Sequence, residues 1–237
     1  MSIKRDDNTK KYIESTIYIG SLHIQHPEPN VYCFTCNDSD LLFNQILFDH
    51  DQDNIFIMNQ PFYAKSSVCS LAQFIQSNSF SVQVACYMIC GLYKHYQLLS
   101  NKQYSISYID LNDIMVIDGK HFFFSNCHKL YKITRNPETE ESTQGYMYIT
   151  EWYDHKNTFL SPELIHNKQL PFYCHKSSCL YSLALIVLYC LKQTNTSISS
   201  PLFNSIEVLN YYKDTKLFHT LFYCLKDDPV KREFILF

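Results

Sequence analysis

The sequence predicts an α+β fold, with a small sheet-bearing region over residues 1–63 and a helical region over residues 64–237. Three observations predict it. The uncharged run over residues 177–191 places Leu180, Leu183, Ala184, Val187, Leu188 and Leu191 at helical spacing, and its other face carries Tyr181, Leu185, Ile186 and Tyr189. A helix that is apolar all round is enclosed by protein or by lipid, and this run is shorter than the roughly 20 residues a bilayer needs. It therefore reads as the buried central helix of a helical lobe. Residues 80–99 carry Ala85, Met88, Ile89, Leu92, Tyr96 and Leu99 at spacings of three and four, the pattern of a long amphipathic helix. Before Pro61, apolar residues instead alternate with polar ones or gather in short β-branched and aromatic runs, which is the pattern of strands.

Along the chain, residues 1–11 are polar and are expected to fray. Ile13, Ile17, Ile19, Leu22 and Ile24 sit among polar neighbours and suggest one or two strands. Pro27-Glu28-Pro29-Asn30 reads as a turn, and Val31-Tyr32-Cys33-Phe34-Thr35-Cys36 as a strand. Asp38-Ser39-Asp40 is placed to cap a helix over residues 41–48, and Asn54-Ile55-Phe56-Ile57-Met58 reads as a further strand, ending at Gln60-Pro61. A short helix over 70–75 precedes the long one. Residues 104–116 read as irregular to extended, and His121-Phe122-Phe123-Phe124 as a strand behind an Asp118-Gly119 turn. Residues 127–160 are polar and Tyr-rich and read as a long loop, a kind of segment that tends to carry function. Two helices, near 201–212 and 217–225, follow the central one.

Composition excludes some functions. An apolar fraction of 46% is ample for a core, while a net charge of -3 with no basic block argues against nucleic acid and anionic membrane as partners. The N-terminus is polar with no apolar run behind it, so no signal peptide is expected and the protein is placed in the cytoplasm. The ten cysteines are scattered among apolar residues and read as reduced, buried thiols. Only four glycines are present, which rules out a Gly-rich phosphate loop.

Three motifs then occur in a telling order. Ser161-Pro162-Glu163 is similar to A-P-E. Ser178-Cys179-Leu180-Tyr181-Ser182-Leu183-Ala184 is similar to S-D-V-W-S-L-G. Cys224-Leu225-Lys226-Asp227-Asp228-Pro229-Val230-Lys231-Arg232 is similar to C-L-x-x-D-P-x-x-R. Together they resemble the large lobe of the protein kinase fold. The resemblance implies a bilobal kinase-like architecture, with a reduced N-terminal β-lobe to residue 63 and a helical C-lobe over 64–237. It also implies that Glu163 and Arg232 pair. Upstream, residues 106–116 align without a gap on H-R-D-L-K-P-E-N-I-L-L, and Asn126 falls at the D-F-G aspartate.

Phosphoryl transfer needs a carboxylate at the substrate hydroxyl, a lysine on the phosphates and acidic or amide ligands for magnesium. On this alignment the H-R-D aspartate is Tyr108, the V-A-I-K lysine is Phe34, the D-F-G aspartate is Asn126 and the catalytic-loop asparagine is Asp113. The central-helix aspartate, which in the family braces the H-R-D backbone, is Cys179. The resemblance therefore implies a pseudokinase, with no catalytic residue, cofactor or metal. It would act as an adaptor or allosteric regulator of a partner protein, an active kinase being one such partner. Asp118 to Ser125 and Phe159 to Leu164 resemble the STRAD-type adaptor pseudokinases in particular. Two other readings remain. A divergent serine/threonine kinase would hold magnesium on Asp110, Asp113 and Asn126, and a decoy would bind a kinase's substrates. Cys33-Phe34-Thr35-Cys36 lacks the second pair a zinc site needs, and Cys127-His128 and Cys174-His175 read as loop and core residues. Tyr146, Tyr148, Trp152 and Tyr153 either pack the long segment down or offer a protein interface.

Overall fold

The computed structural model describes residues 17–19, 22–28, 31–36, 55–57, 62–64, 67–77, 80–135, 144–153, 159–194 and 203–235. Among them stand twelve strands in three antiparallel sheets and six helices, a mixed α/β protein. The first sheet comprises β1 (Ile17–Ile19), β2 (Leu22–Glu28), β3 (Val31–Cys36), β4 (Ile55–Ile57) and β5 (Phe62–Ala64), in the order β1-β2-β3-β5-β4. Ile19 and Ile24 are buried members of the main core. β2 runs on through Glu28, with its register to β3 shifted between Gln25 and Glu28, so part of the expected turn is strand. The helix expected over 41–48 lies outside the described residues.

The main core is built on helices. α1 (Leu71–Ser77) is short, and α2 (Val82–Asn101) is the long amphipathic helix. The Ser81 hydroxyl accepts the Val84 N–H at 3.2 Å and caps α2. Ala85, Met88, Ile89, Leu92 and Leu99 face inward, so the spacing of the apolar residues sets the buried stripe. After α3 (Pro162–His166) comes α4 (Ser178–Thr194), whose residues from Leu183 to Leu188 are all buried. α5 (Ser205–Tyr211) and α6 (Lys216–Cys224) pack against α4, as does α2.

The second sheet, in the order β6-β8-β9, joins β6 (Val68–Ser70), β8 (Ile114–Ile117) and β9 (His121–Phe124). The turn between β8 and β9 has Asp118 at φ 53° and Gly119 at φ 66°, and the Lys120 N–H donates to the Ile117 carbonyl at 3.2 Å. Two left-handed residues give the turn a twist that matches the hairpin's strands. β9 packs on α2, and the Phe124 N–H donates to His95 Nδ1 at 3.1 Å.

The third sheet corrects the reading of residues 127–160 as a loop. That segment supplies β10 (Leu130–Arg135) and β11 (Gln144–Ile149), which join β7 (Tyr104–Ile106) and β12 (Phe172–His175) in the order β12-β11-β10-β7. Met147 and Ile149 are wholly buried while Tyr148 between them is exposed. They pack with Phe172 and Leu160 in a second, smaller core. The region over 64–237 is thus not purely helical, because two of the three sheets belong to it.

Candidate functional site

The 3-10 turn over Leu111–Asp113, which leads into β8, forms the centre of the site. Asp113 and Asp110 cap this turn reciprocally. Asp110 Oδ1 accepts the Asn112 N–H at 3.1 Å, and Asp113 Oδ2 accepts the Asp110 N–H at 2.8 Å. The turn is then pinned to the segment after β9. The Asp113 carbonyl accepts both the N–H and the hydroxyl of Ser125, each at 2.7 Å.

This pinning delivers Asn126 to Asp113, and its amide donates to Asp113 Oδ1 at 2.8 Å. Asn126 Oδ1 accepts the His128 N–H at 3.1 Å, which starts a second 3-10 turn over Cys127–Lys129. That turn swings Lys129 back, and its ammonium forms an ion pair with Asp113 Oδ2. The same ammonium lies 3.9 Å from the centre of the Tyr108 ring, a cation–π contact. Tyr108 packs edge-on against Tyr153, whose hydroxyl donates to the Leu164 carbonyl of α3.

Tyr108, Asp113 and Asn126 are thus gathered into one network with Lys129, a residue that sequence reading passes over. Asp113 is only 4% exposed, and its carboxylate is met by a backbone N–H, an amide and an ammonium. A buried carboxylate needs such partners to stay charged. Asp110 Oδ1 is taken up by the cap of the turn. Among the described residues, no group of three or more His, Cys, Asp or Glu side chains is arranged to hold a metal. Phe34 stands in β3, registered with Ile24 and Phe62; its side chain lies outside the described residues.

Glu163 and Arg232 form a bidentate pair, with Nη1–Oε1 at 2.5 Å and Nη2–Oε2 at 2.7 Å. Arg232 also donates to the Lys226 carbonyl at 2.7 Å and the Asp227 carbonyl at 3.1 Å, and its guanidinium lies 4.9 Å from the Tyr181 ring centre. The pair ties the start of α3 to the chain end beyond α6. Cys179, in the first turn of α4, is buried. Its thiol donates to the Lys176 carbonyl at 3.4 Å and touches Ser105 Oγ at 4.0 Å. Burial pushes this thiol up to about 12, and the Ser105 contact opposes that rise. Cys69, Cys86, Cys90, Cys174, Cys179, Cys190 and Cys224 stand outside any disulfide; Cys174, Cys179, Cys190 and Cys224 are buried, whereas Cys86 is exposed. Of the aromatic residues in the Tyr-rich segment, Tyr153 packs inward while Tyr148 and Trp152 stand exposed.

No family model matches the chain, and no curated protein matches it. No described helix is long and apolar enough to cross a membrane.

Proposed function

We propose that the protein is a catalytically inactive, protein kinase-like protein with a bilobal plan, acting as an adaptor or allosteric regulator of a partner protein, with an active kinase the first partner to test. The observation that carries this reading is the saturation of Asp113. On the alignment drawn from sequence, Tyr108, Asp113 and Asn126 fall where a kinase keeps its base and magnesium ligands. Here Asn126 donates to Asp113, Lys129 pairs with Asp113, and the same ammonium lies against the Tyr108 ring. A magnesium ion would have to displace that ammonium and an amide donor, and the residues present do not fit a nucleotide–magnesium complex. The Glu163–Arg232 pair, a structural element of the same resemblance, is intact. Regulation would then follow from a partner's active state being bound better than its inactive one.

The test is a thermal titration with ATP, with and without magnesium, followed by partner capture. A ligand of the folded state at a hundred times its dissociation constant adds about 2.7 kcal/mol. The proposal expects no shift at millimolar ATP, and a stimulated kinase among stably bound partners. Magnesium-dependent stabilisation, with phosphate incorporation lost in Asp113→Ala, would replace it with a divergent serine/threonine kinase.

A further inference from the structure

Two cavities on the outer face of α2 share one residue, Lys94. One, of about 530 Å³, lies along the C-terminal half of α2 and reaches Lys176 before α4. The other, of about 330 Å³, lies between α2 and the β8–β9 hairpin, with Lys120 at its rim and Phe122 and Phe123 behind it. Gly91 keeps this second cavity's wall thin. A Cβ there would sit 3.1 Å from the Phe122 carbonyl oxygen.

The charge along this groove runs against that of the molecule. The chain carries 23 acidic residues against 20 Lys and Arg. Yet none of the described residues lining either cavity is Asp or Glu, whereas Lys94, Lys120 and Lys176 all are lining residues. Lys94 and Lys120 are exposed, and among the described residues none of the three takes part in an ion pair. The acid nearest in sequence, Asp118, is engaged elsewhere: its Oδ1 accepts the Ser67 N–H at 3.0 Å and the Ser67 hydroxyl at 3.4 Å.

We infer that this groove is a docking site for an acidic, extended segment of a partner protein. From Tyr87 to Asn101 the helix rises about 21 Å at 1.5 Å per residue, the reach of about six extended residues. The first cavity is mainly polar and suits carboxylates facing Lys94 and Lys176. The second is mainly apolar and suits a leucine-sized side chain between them. A nucleic acid strand fits less well, because its affinity rests on neutralising many phosphates, and among the described residues only three ammonium groups line this groove. The inference uses the charge and shape of this face and not the kinase-like reading.

A fluorescein-labelled peptide of repeated Glu-Glu-Leu units, titrated with the full chain and followed by anisotropy, tests it. Saturable binding is expected, weakening as salt screens the contact. Lys94→Glu, at an exposed position, should weaken binding about tenfold, while Lys94→Arg binds as the parent does. Lys120→Glu provides a second variant, and thermal melts check that both fold. No binding at millimolar peptide would overturn the inference. So would equal binding by both charge-reversed variants, or tighter binding of oligothymidylate than of the peptide. ATP and kinases are absent from this assay, so its failure leaves the adaptor reading standing.

Discussion

Arg232→Ala removes four hydrogen bonds together: two to the Glu163 carboxylate and one each to the Lys226 and Asp227 carbonyls. It also takes the guanidinium off the Tyr181 ring. The Arg232 side chain has no exposed surface, while Glu163 keeps 20% of its own. Removing one partner of a buried pair costs about 3–5 kcal/mol. Water can still reach the stranded Glu163 carboxylate, which places the loss in the lower part of that range, about 3–4 kcal/mol. For a domain of this size each kcal/mol lowers the melting temperature by about 2–4 °C, so a fall of about 10 °C is expected. Glu163→Gln, which keeps the shape and one acceptor, should lose about 1–2 kcal/mol. Arg232→Lys should lie between, since an ammonium cannot make the two-pronged contact. Calorimetry of the purified full chain is the assay, with a Glu163→Ala/Arg232→Ala cycle to isolate the pair. The reasoning fails if Arg232→Ala melts within about 2 °C of the parent, or if the cycle shows no coupling.

Lys129→Met leaves Asp113 buried with only neutral donors and should cost about 2–3 kcal/mol, read by thermal melts. A variant that melts like the parent would show that the ammonium holds nothing. Burial lifts Cys179 and Cys224 from 9.0 to about 12, and raises Cys174 and Cys190 as well. Thiols of the unfolded chain ionise near their ordinary value while the folded ones stay neutral. Stability is therefore complete below pH 9 and falls from there towards 12, by up to about 1.4 kcal/mol per pH unit for each thiol. Urea melts on either side of pH 9 check the slope, and a flat profile contradicts it. Gly119→Ala places a side chain at φ 66° and a Cβ 3.2 Å from the Phe74 ring. A loss of about 1–2 kcal/mol is expected, read by the same melts.

α2 and α4 are legible in the sequence because a helix repeats its burial signal over many turns. Over 80–99 the stripe names its own inward face, and over 177–191 the lack of any charge names a helix enclosed on all sides. The Asp118-Gly119 turn is legible because few residues accept a positive φ. β10 and β11 are not. Their period-two signal lasts only about one strand, with Met147 and Ile149 inward and Tyr148 outward, amid Thr, Glu and Ser. Pairing with β7 and β12 decides their conformation, and that pairing is not local. In the site, Tyr108, Asp113 and Asn126 stand out because a motif points at them. Lys129 does not: its ion pair with Asp113, sixteen residues back, exists only once two 3-10 turns have folded against each other.

That ion pair has a consequence for what the protein can sense. A dissolved cation comes and goes with its concentration, and a chelator can strip it away. The Lys129 ammonium is covalently part of the chain, so its local concentration beside Asp113 is fixed by folding alone. On the proposed inactive reading, the fold around the Leu111–Asp113 turn should be deaf to swings in magnesium and nucleotide. It should keep the same shape in EDTA as in a cell rich in ATP.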